Sequence, residues 1–233
     1  MKRKPFLPGY AWLLLLIVPA WTEILYYGAR LLNRGRTHLD FSCGLDRVIP
    51  AVPWTIVIYS VCYLLFWVVN YVLCARGEKR DAYRFFCADF LAKAVCFFLF
   101  LLLPATMERP VIDGNSLWDE ALRLLYQIDA PDNLFPSIHC LVSWFSYIGV
   151  RGRKDIPRWY RMLSLAMALA VFVSTLTTRQ HVIADIFGGV LLAESCYWLA
   201  GWKAVLERYT QFINGLLRRL QDVVSIREPV CHD

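Results

Sequence analysis

Six apolar stretches separated by charged loops constrain the fold of this chain more than any other feature. They occupy residues 9–32, 54–75, 85–104, 136–150, 162–178 and 181–202. A helix needs about 20 apolar residues to cross a bilayer, and the two shortest stretches would rise only about 23 and 26 Å. Those two either begin below the membrane surface or extend into their flanks. The sequence therefore predicts an all-α membrane protein, a six-transmembrane helix bundle that forms a single membrane domain.

The composition agrees with a lipid environment. Apolar residues make up 58% of the chain and charged residues 19%, which excludes a disordered chain, a fibrous repeat and a coiled coil. The net charge of +6 is expected to report orientation in the membrane, and no nucleic-acid partner is predicted. None of the eight cysteines forms a CxxC pair, so the sequence predicts neither a disulfide framework nor a zinc site.

The loops predict the orientation of the chain. With the N-terminus inside, 17 of the 25 Lys and Arg residues fall on the cytoplasmic side. The positive-inside rule therefore predicts that both termini are cytoplasmic. The apolar stretch after the basic residues 2–4 is too long for the core of a cleaved signal, so we expect it to be retained as the first span. The predicted location is the plasma (cytoplasmic) membrane, in which the chain is an integral multi-pass protein.

Two segments outside the spans have amphipathic helical patterns. Residues 116–128 place apolar side chains at helical spacing behind Ser116, a residue type that starts helices. Residues 203–233 form a predicted cytoplasmic tail, which is amphipathic and basic as far as residue 224. Each segment is expected either to lie on its membrane surface or to pack against the bundle.

Two histidines stand at the openings of spans that face the same side. His139 opens the fourth stretch and His181 opens the sixth, so the topology brings both imidazoles to the outer face at one depth. His181 and Asp185 are four residues apart on one predicted helix, where their side chains meet. A carboxylate that accepts the Nδ1 proton fixes the tautomer and leaves Nε2 free to attack or to accept a proton.

The same face collects groups that suit a phosphate. Pro136 is predicted in the first turn of the fourth span, with Ser137 beside it, and the free N–H groups of that turn form an anion site. Arg109 and Arg179 supply guanidinium groups that fit phosphate oxygens. The set predicts phosphoryl transfer, with one histidine as the nucleophile and the other as the acid for the leaving alkoxide.

Three short motifs resemble those of the type 2 phosphatidic acid phosphatase (PAP2) superfamily. The segment PSIH at 136–139 is similar to the PSGH motif of that family. The segment 174–185 resembles its SR-x5-H-x3-D motif, and the Arg-Pro pair at 109–110 resembles the end of its K-x6-RP motif. The resemblance implies a six-span bundle of the PAP2 type, with a catalytic core at about 85–202.

The resemblance also implies roles by position. In that family one histidine becomes a phosphohistidine, an aspartate orients it, and the histidine of PSGH protonates the leaving group. By position these roles fall to His181, Asp185 and His139. The phosphate-binding positions are Arg109, Ser137, Arg179, Ser174 and Pro136. The family requires no metal or other cofactor, so none is expected here.

Three positions depart from the family motifs, and one of them, Ile138 in place of the glycine of PSGH, is tolerable in a helix. Leu102 stands where the first motif has lysine, and Thr175 stands where the third has arginine. PAP2-like phosphotransferases such as the sphingomyelin and inositol phosphorylceramide synthases relax these positions too. The expected activity is metal-independent hydrolysis of a lipid phosphate monoester or pyrophosphate at the extracytoplasmic face, with a phospholipid or polyprenyl phosphate as substrate. The alternative is transfer of a phospho-headgroup to a lipid alcohol.

Charged residues within the spans keep a third class open, a transporter or scaffold without catalysis. Asp89 and Lys93 are four residues apart and are expected to form a structural ion pair. Glu23 and Glu194 are expected to make hydrogen bonds inside the bundle. The Gly pair at 188–189 is expected to allow close helix packing near the sixth span's opening.

Overall fold

The computed structural model describes residues 6–227, with side chains described as far as residue 222. The structure is 73% helical, which agrees with the predicted all-α class. The basic residues 2–4 and the end of the predicted tail, beyond residue 227, lie outside the described residues. Two short strands, β1 (Leu39–Asp40) and β2 (Ala105–Thr106), pair in parallel and join the loop after the first apolar stretch to the loop after the third.

The helices of the described part follow the apolar stretches closely. They are α1 (Gly9–Leu32), α2 (Gly44–Val48), α3 (Tyr63–Ala75), α4 (Lys79–Leu102), α5 (Leu117–Ile128), α6 (Ile138–Arg151), α7 (Arg158–Thr177), α8 (Ile183–Leu199) and α9 (Lys203–Arg227). A 3₁₀ turn, Pro53–Thr55, and a π-helical turn, Ile58–Cys62, lead into α3.

Four helical segments of the described residues are long and apolar enough to cross a membrane. They are α1, the continuous run Pro53–Ala75, α4 and α7. Helices α8 and α9 pass the same test together, as a fifth span bent by 89°. Helix α6 has 14 residues and is shorter than a full span requires. These helices fit a multi-pass membrane protein, while the six spans and the cytoplasmic termini stay predictions.

Helix α6 lies at the centre of the bundle and packs against α3, α7 and α8. A side-chain carbon on Gly189 of α8 would lie 2.9 Å from the carbonyl oxygen of Ser137. A Cβ on Gly188 would lie 2.7 Å from the ring of Phe135. Only glycine fits this approach, so the predicted close packing at the glycine pair is confirmed.

Three of the four charged residues predicted inside the spans are paired. The fourth, Glu23, is exposed and makes no hydrogen bond or ion pair among the described residues, so the hydrogen bond predicted for it is wrong. Lys93 Nζ lies 2.8 Å from Asp89 Oδ2, both side chains are buried, and the hydroxyl of Tyr71 donates to Asp89 Oδ1 at 2.7 Å. The structural ion pair predicted from their spacing is confirmed. Glu194 accepts hydrogen bonds from Arg151 and, at 2.8 Å, from the indole of Trp144.

Both amphipathic segments form helices. At the start of α5 the hydroxyl of Ser116 accepts a hydrogen bond from the backbone N–H of Asp119 at 3.3 Å, which confirms the predicted helix start. The described part of the tail, α9, packs against α1 and α4. Its side chains Tyr209 and Ile213 are buried there, so this helix uses its apolar face to extend the core.

Candidate active site

The two histidines predicted to act together lie side by side. The ring centres of His139 and His181 are 6.1 Å apart, with 54° between the ring planes. His139 is in the first turn of α6, and His181 lies in the turn between α7 and α8. Both imidazoles line the same cavity.

His181 is held by Asp185, although by a different route from the predicted one. Helix α8 begins at Ile183, so His181 precedes the helix and the two residues do not share a helical face. The carboxylate Oδ2 of Asp185 instead accepts from the backbone N–H of Val182 at 3.1 Å and lies 3.0 Å from Nδ1 of His181. A first-turn carboxylate thus caps its own helix and orients the imidazole with one oxygen.

The start of α6 is capped by Ser137. Its hydroxyl accepts from the N–H of Cys140 at 3.2 Å, and its own N–H donates to the carbonyl of Asp185 at 3.2 Å. Pro136 precedes this cap, so it does not occupy the first helical turn as the sequence predicted. The side chain of Ser137 is fully buried, and it joins the beginnings of α6 and α8.

Two tyrosines that sequence reasoning missed enclose His139. The ring of Tyr59 stacks on the imidazole at 4.3 Å between centres, and the ring of Tyr63 lies 4.6 Å away. The hydroxyl of Tyr59 is 3.4 Å from Nδ1 of His139, at the long limit of a hydrogen bond. The π-helical turn Ile58–Cys62 brings both rings to this position, and π turns often occur at functional sites.

Arg109 reaches the site through a second residue, Gln180. Its guanidinium donates to the side-chain Oε1 of Gln180 at 2.7 Å and to the carbonyl oxygen of Asp129, and it lies 4.8 Å above the ring of Tyr126. Burial lowers the pKa of Arg109 from its ordinary value, and the charge of Asp129 acts in the opposite direction. Gln180 was not singled out in the sequence, and its only signal was its position beside His181.

Two predicted phosphate ligands face away from the histidine pair. Arg179, at φ 53°, donates to the carbonyl oxygens of Asp46 in α2 and of Ile49 just after it. The hydroxyl of Ser174 donates to the carbonyl of Val171 at 2.7 Å inside α7. Asp46 also accepts from the N–H of Ile183 at 2.8 Å. These contacts fix the turn that carries His181.

The histidine pair opens into a cavity of about 290 Å³. Helices α1 and α3 and the segment before α6 line it, and its carboxylates are Glu23, Asp129 and Asp132. Asp132 pairs with Arg30 at 2.9 Å. Burial raises the pKa of Asp132 above its ordinary value, and Arg30 acts in the opposite direction.

Comparison with known families decides the classification. The model of the PAP2 superfamily matches residues 34–199. The chain belongs to the PAP2 superfamily. No curated protein and no solved structure matches it.

The two cationic positions of the family motifs are occupied in this PAP2 protein by uncharged side chains, one exposed and one buried. The side chain of Leu102 is 73% exposed at the end of α4. Thr175 is buried, and its hydroxyl donates to the carbonyl of Phe172 at 2.8 Å. The lining of the histidine cavity contains neither Lys nor Arg among the described residues.

Proposed function

We propose that this PAP2 protein is an enzyme that hydrolyses a lipid phosphate monoester or pyrophosphate, without a metal, through a phosphohistidine at His181. The observation that carries the proposal is the pair of imidazoles 6.1 Å apart, one of which lies 3.0 Å from the carboxylate of Asp185. The superfamily comprises phosphatases and related phosphotransferases, and this supports phosphoryl transfer over a transporter or scaffold.

In the first step Nε2 of His181 attacks phosphorus as the bond from phosphorus to the lipid oxygen breaks. The proton on Nδ1 stays on the ring, because the carboxylate of Asp185 accepts a hydrogen bond from it. The same carboxylate stabilises the positive charge that forms on the ring. His139 gives a proton to the lipid oxygen, which leaves as an alcohol.

In the second step water replaces the lipid. His139 takes a proton from the water, the water oxygen attacks phosphorus, and the bond to Nε2 of His181 breaks. Inorganic phosphate leaves, and both histidines return to their starting protonation states. The amide of Gln180, held by Arg109, donates to a phosphoryl oxygen during both steps. In this proposal Arg179, Ser137, Ser174 and Pro136 act by fixing the ends of the helices that carry the histidines.

A second candidate, transfer of a phospho-headgroup to a lipid alcohol, is favoured by one observation. Three carboxylates and no Lys or Arg line the described cavity, which suits a phosphodiester with one negative charge better than a monoester with two. The chemistry is unchanged, except that an alcohol oxygen replaces the water oxygen in the second step. Leu102 and Thr175 agree with this branch, because they remove cations that a dianion would need.

The side of the membrane on which the reaction occurs is also part of the proposal. The excess of Lys and Arg in the loops opposite the histidines supports an extracytoplasmic site. The substrates that fit are phospholipids or polyprenyl phosphates supplied by the bilayer.

The experiment follows labelled phosphorus in the purified protein, in detergent with a chelator present. A phospholipid mixture labelled at phosphorus is offered with and without diacylglycerol or ceramide. Label on the protein that is lost in acid and kept in base, and is absent from His181→Ala, supports a phosphohistidine. Release of inorganic phosphate without an acceptor supports hydrolysis, and label in a new lipid supports transfer.

The control is His38→Ala, which removes a histidine of the first outer loop that contacts the carbonyl of Arg36. Both variants are checked for an unchanged unfolding temperature. Wild-type turnover by a folded His181→Ala protein would refute the mechanism.

A further inference from the structure

Helix α5 uses only part of its circumference to pack against the bundle. Leu122 is fully buried, and the hydroxyl of Tyr126 donates to the carbonyl oxygen of Thr178, at the end of α7, at 3.0 Å. The two residues of α5 are four positions apart and therefore lie on one face of the helix. This face holds α5 against the segment that precedes His181.

A second line of residues along α5 is apolar and uncovered. Leu117, Ala121, Leu124 and Ile128 follow one another at intervals of four, three and four residues, which places them on one side of the helix. We call this line the apolar stripe. Its three large residues are each more than half exposed. Contiguous apolar surface of this kind marks a site of contact with another protein or with a membrane.

The charged residues of α5 occupy a third side. Nη2 of Arg123 lies 2.6 Å from Oε1 of Glu120, and Gln127, four residues after Arg123, is exposed. At 3.6 residues per turn, these residues lie on an arc that is separate from Leu122 and Tyr126 and from the apolar stripe. The helix thus has one side against the protein, one charged side and one apolar side.

The position of α5 places the apolar stripe near a membrane surface. The helix packs against the 3₁₀ turn Pro53–Thr55, which begins the run Pro53–Ala75, long and apolar enough to cross a membrane. The N–H of Val52 donates to the carbonyl oxygen of Thr177 at 2.8 Å, so this run and α7 have neighbouring ends. Helix α5 contacts both ends, and it therefore lies at the level at which two spans leave the membrane.

Lipid is the occupant that these surroundings favour. Val61, Leu64 and Leu65 of the neighbouring run are at least half exposed, so the span beside α5 presents apolar side chains to the bilayer. Trp54 in the 3₁₀ turn and Trp118 in α5 are also exposed, and tryptophan is enriched where a membrane meets water. A helix with separate charged and apolar sides lies in this interface, with its apolar side buried about 5–10 Å into the boundary of headgroups and acyl chains.

We propose that α5 is a membrane-interface helix, and that its apolar stripe inserts into the leaflet on the histidine side of the bilayer. The inserted helix connects lipid to the wall of the histidine cavity. Its Tyr126 ring lies 4.8 Å from the guanidinium of Arg109, which in turn donates to Gln180. The inference stands apart from the proposed function, because insertion requires no turnover.

The test measures what surrounds the apolar stripe in a bilayer. A fluorescent NBD group is attached to Leu124→Cys or, as the matched control on the charged side, to Gln127→Cys. The parent is the full chain with Cys43→Ser and Cys231→Ser, and its own labelling is the blank. Cys43 is an exposed thiol just before α2, where serine also caps a helix well. The proteins are placed in nanodiscs of phosphatidylcholine and phosphatidylglycerol, which leave both faces of the bilayer accessible.

We expect lipids with a nitroxide on the upper acyl chain to quench the label at position 124 and to leave the label at position 127 unchanged. Iodide in the water should quench the label at 124 about threefold less than the label at 127, because the apolar side is embedded. Leu124 is exposed, so its variant is expected to fold, and its unfolding temperature is compared with that of the parent. Ile128→Cys repeats the measurement at a second position of the stripe.

Equal iodide quenching at positions 124 and 127 would overturn the inference. So would a label at 124 that the nitroxide lipids leave unchanged. A label at 124 that is shielded from both quenchers, with self-quenching between labelled proteins, would place a second copy of this chain on the stripe and would also overturn it. Phosphoenzyme formation is measured separately, so failure of the insertion and failure of the proposed function are distinct results.

Discussion

Replacing Asp185 by Asn would preserve the shape of the side chain and remove its charge. One oxygen, Oδ2, serves both the N–H of Val182 and Nδ1 of His181, whereas Oδ1 has no hydrogen-bond partner among the described residues. The amide oxygen of Asn can occupy the Oδ2 position with its NH₂ at the Oδ1 position. The helix cap and the imidazole tautomer are then retained, so the variant isolates the electrostatic contribution to phosphohistidine formation.

The expected loss follows from the distance. Nδ1 and Oδ2 are 3.0 Å apart, so the centres of the two charges lie about 4 Å apart, which corresponds to about 4 kcal/mol at an effective dielectric constant near 20. At about 1.4 kcal/mol per tenfold, phosphoenzyme formation should slow by roughly a thousandfold. The assay is a rapid-quench measurement of label on the protein in a single turnover.

The control is Asp46→Asn. This variant changes a buried carboxylate of α2 that contacts the first residue of α8. Its two oxygens accept from the N–H groups of Cys43 and Ile183, and it does not contact His181. This variant should lower the unfolding temperature, because one N–H loses its acceptor, while the folded fraction forms phosphoenzyme at a rate near that of the wild type. A rate for Asp185→Asn within about tenfold of wild type would refute the proposed role of the carboxylate.

Three further predictions concern the support of the site. Gly189→Ala forces α6 and α8 apart at the carbonyl of Ser137, so thermal unfolding should show a loss of about 1–3 kcal/mol and the phosphoenzyme yield should fall. Lys93→Met leaves the carboxylate of Asp89 buried and unpaired, at a cost of about 3–5 kcal/mol. Adding Asp89→Asn should restore most of the unfolding temperature, and no recovery would contradict a structural pair. Arg109→Lys loses the fork that holds Gln180, so the single-turnover rate should fall about tenfold to a hundredfold, with unfolding unchanged.

The sequence predicted the helices well because the hydrophobic lengths are set by the membrane. The first apolar stretch and α1 have the same bounds, Gly9–Leu32, and the glycine pair and the pair of Asp89 with Lys93 behave as their spacing predicted. The topology also brought His139 and His181 together. The fourth span leaves the face on which His139 lies, and the fifth span returns the chain to that face, where His181 precedes the sixth.

The directions of the polar side chains could not be predicted in the same way. Arg179 itself has a positive φ, and its guanidinium points to the carbonyl oxygens of Asp46 and Ile49. The contact of Arg109 with Gln180 depends on how a long loop folds over α7, which no periodicity encodes. Tyr59 and Tyr63 resemble any aromatic residues of an apolar span, so only the packing of α3 on α6 identifies them as neighbours of His139.

The hydrogen bond between Ile183 and Asp46 joins residues 137 positions apart in the chain. Helix α2 therefore lies against the start of α8, although the recognisable motifs all lie more than 50 positions later. Chimaeras that exchange the motif-bearing half of two PAP2 proteins would separate α8 from the loop that caps it. Natural variants between residues 43 and 49 should accordingly be interpreted through their effect on the stability of the start of α8.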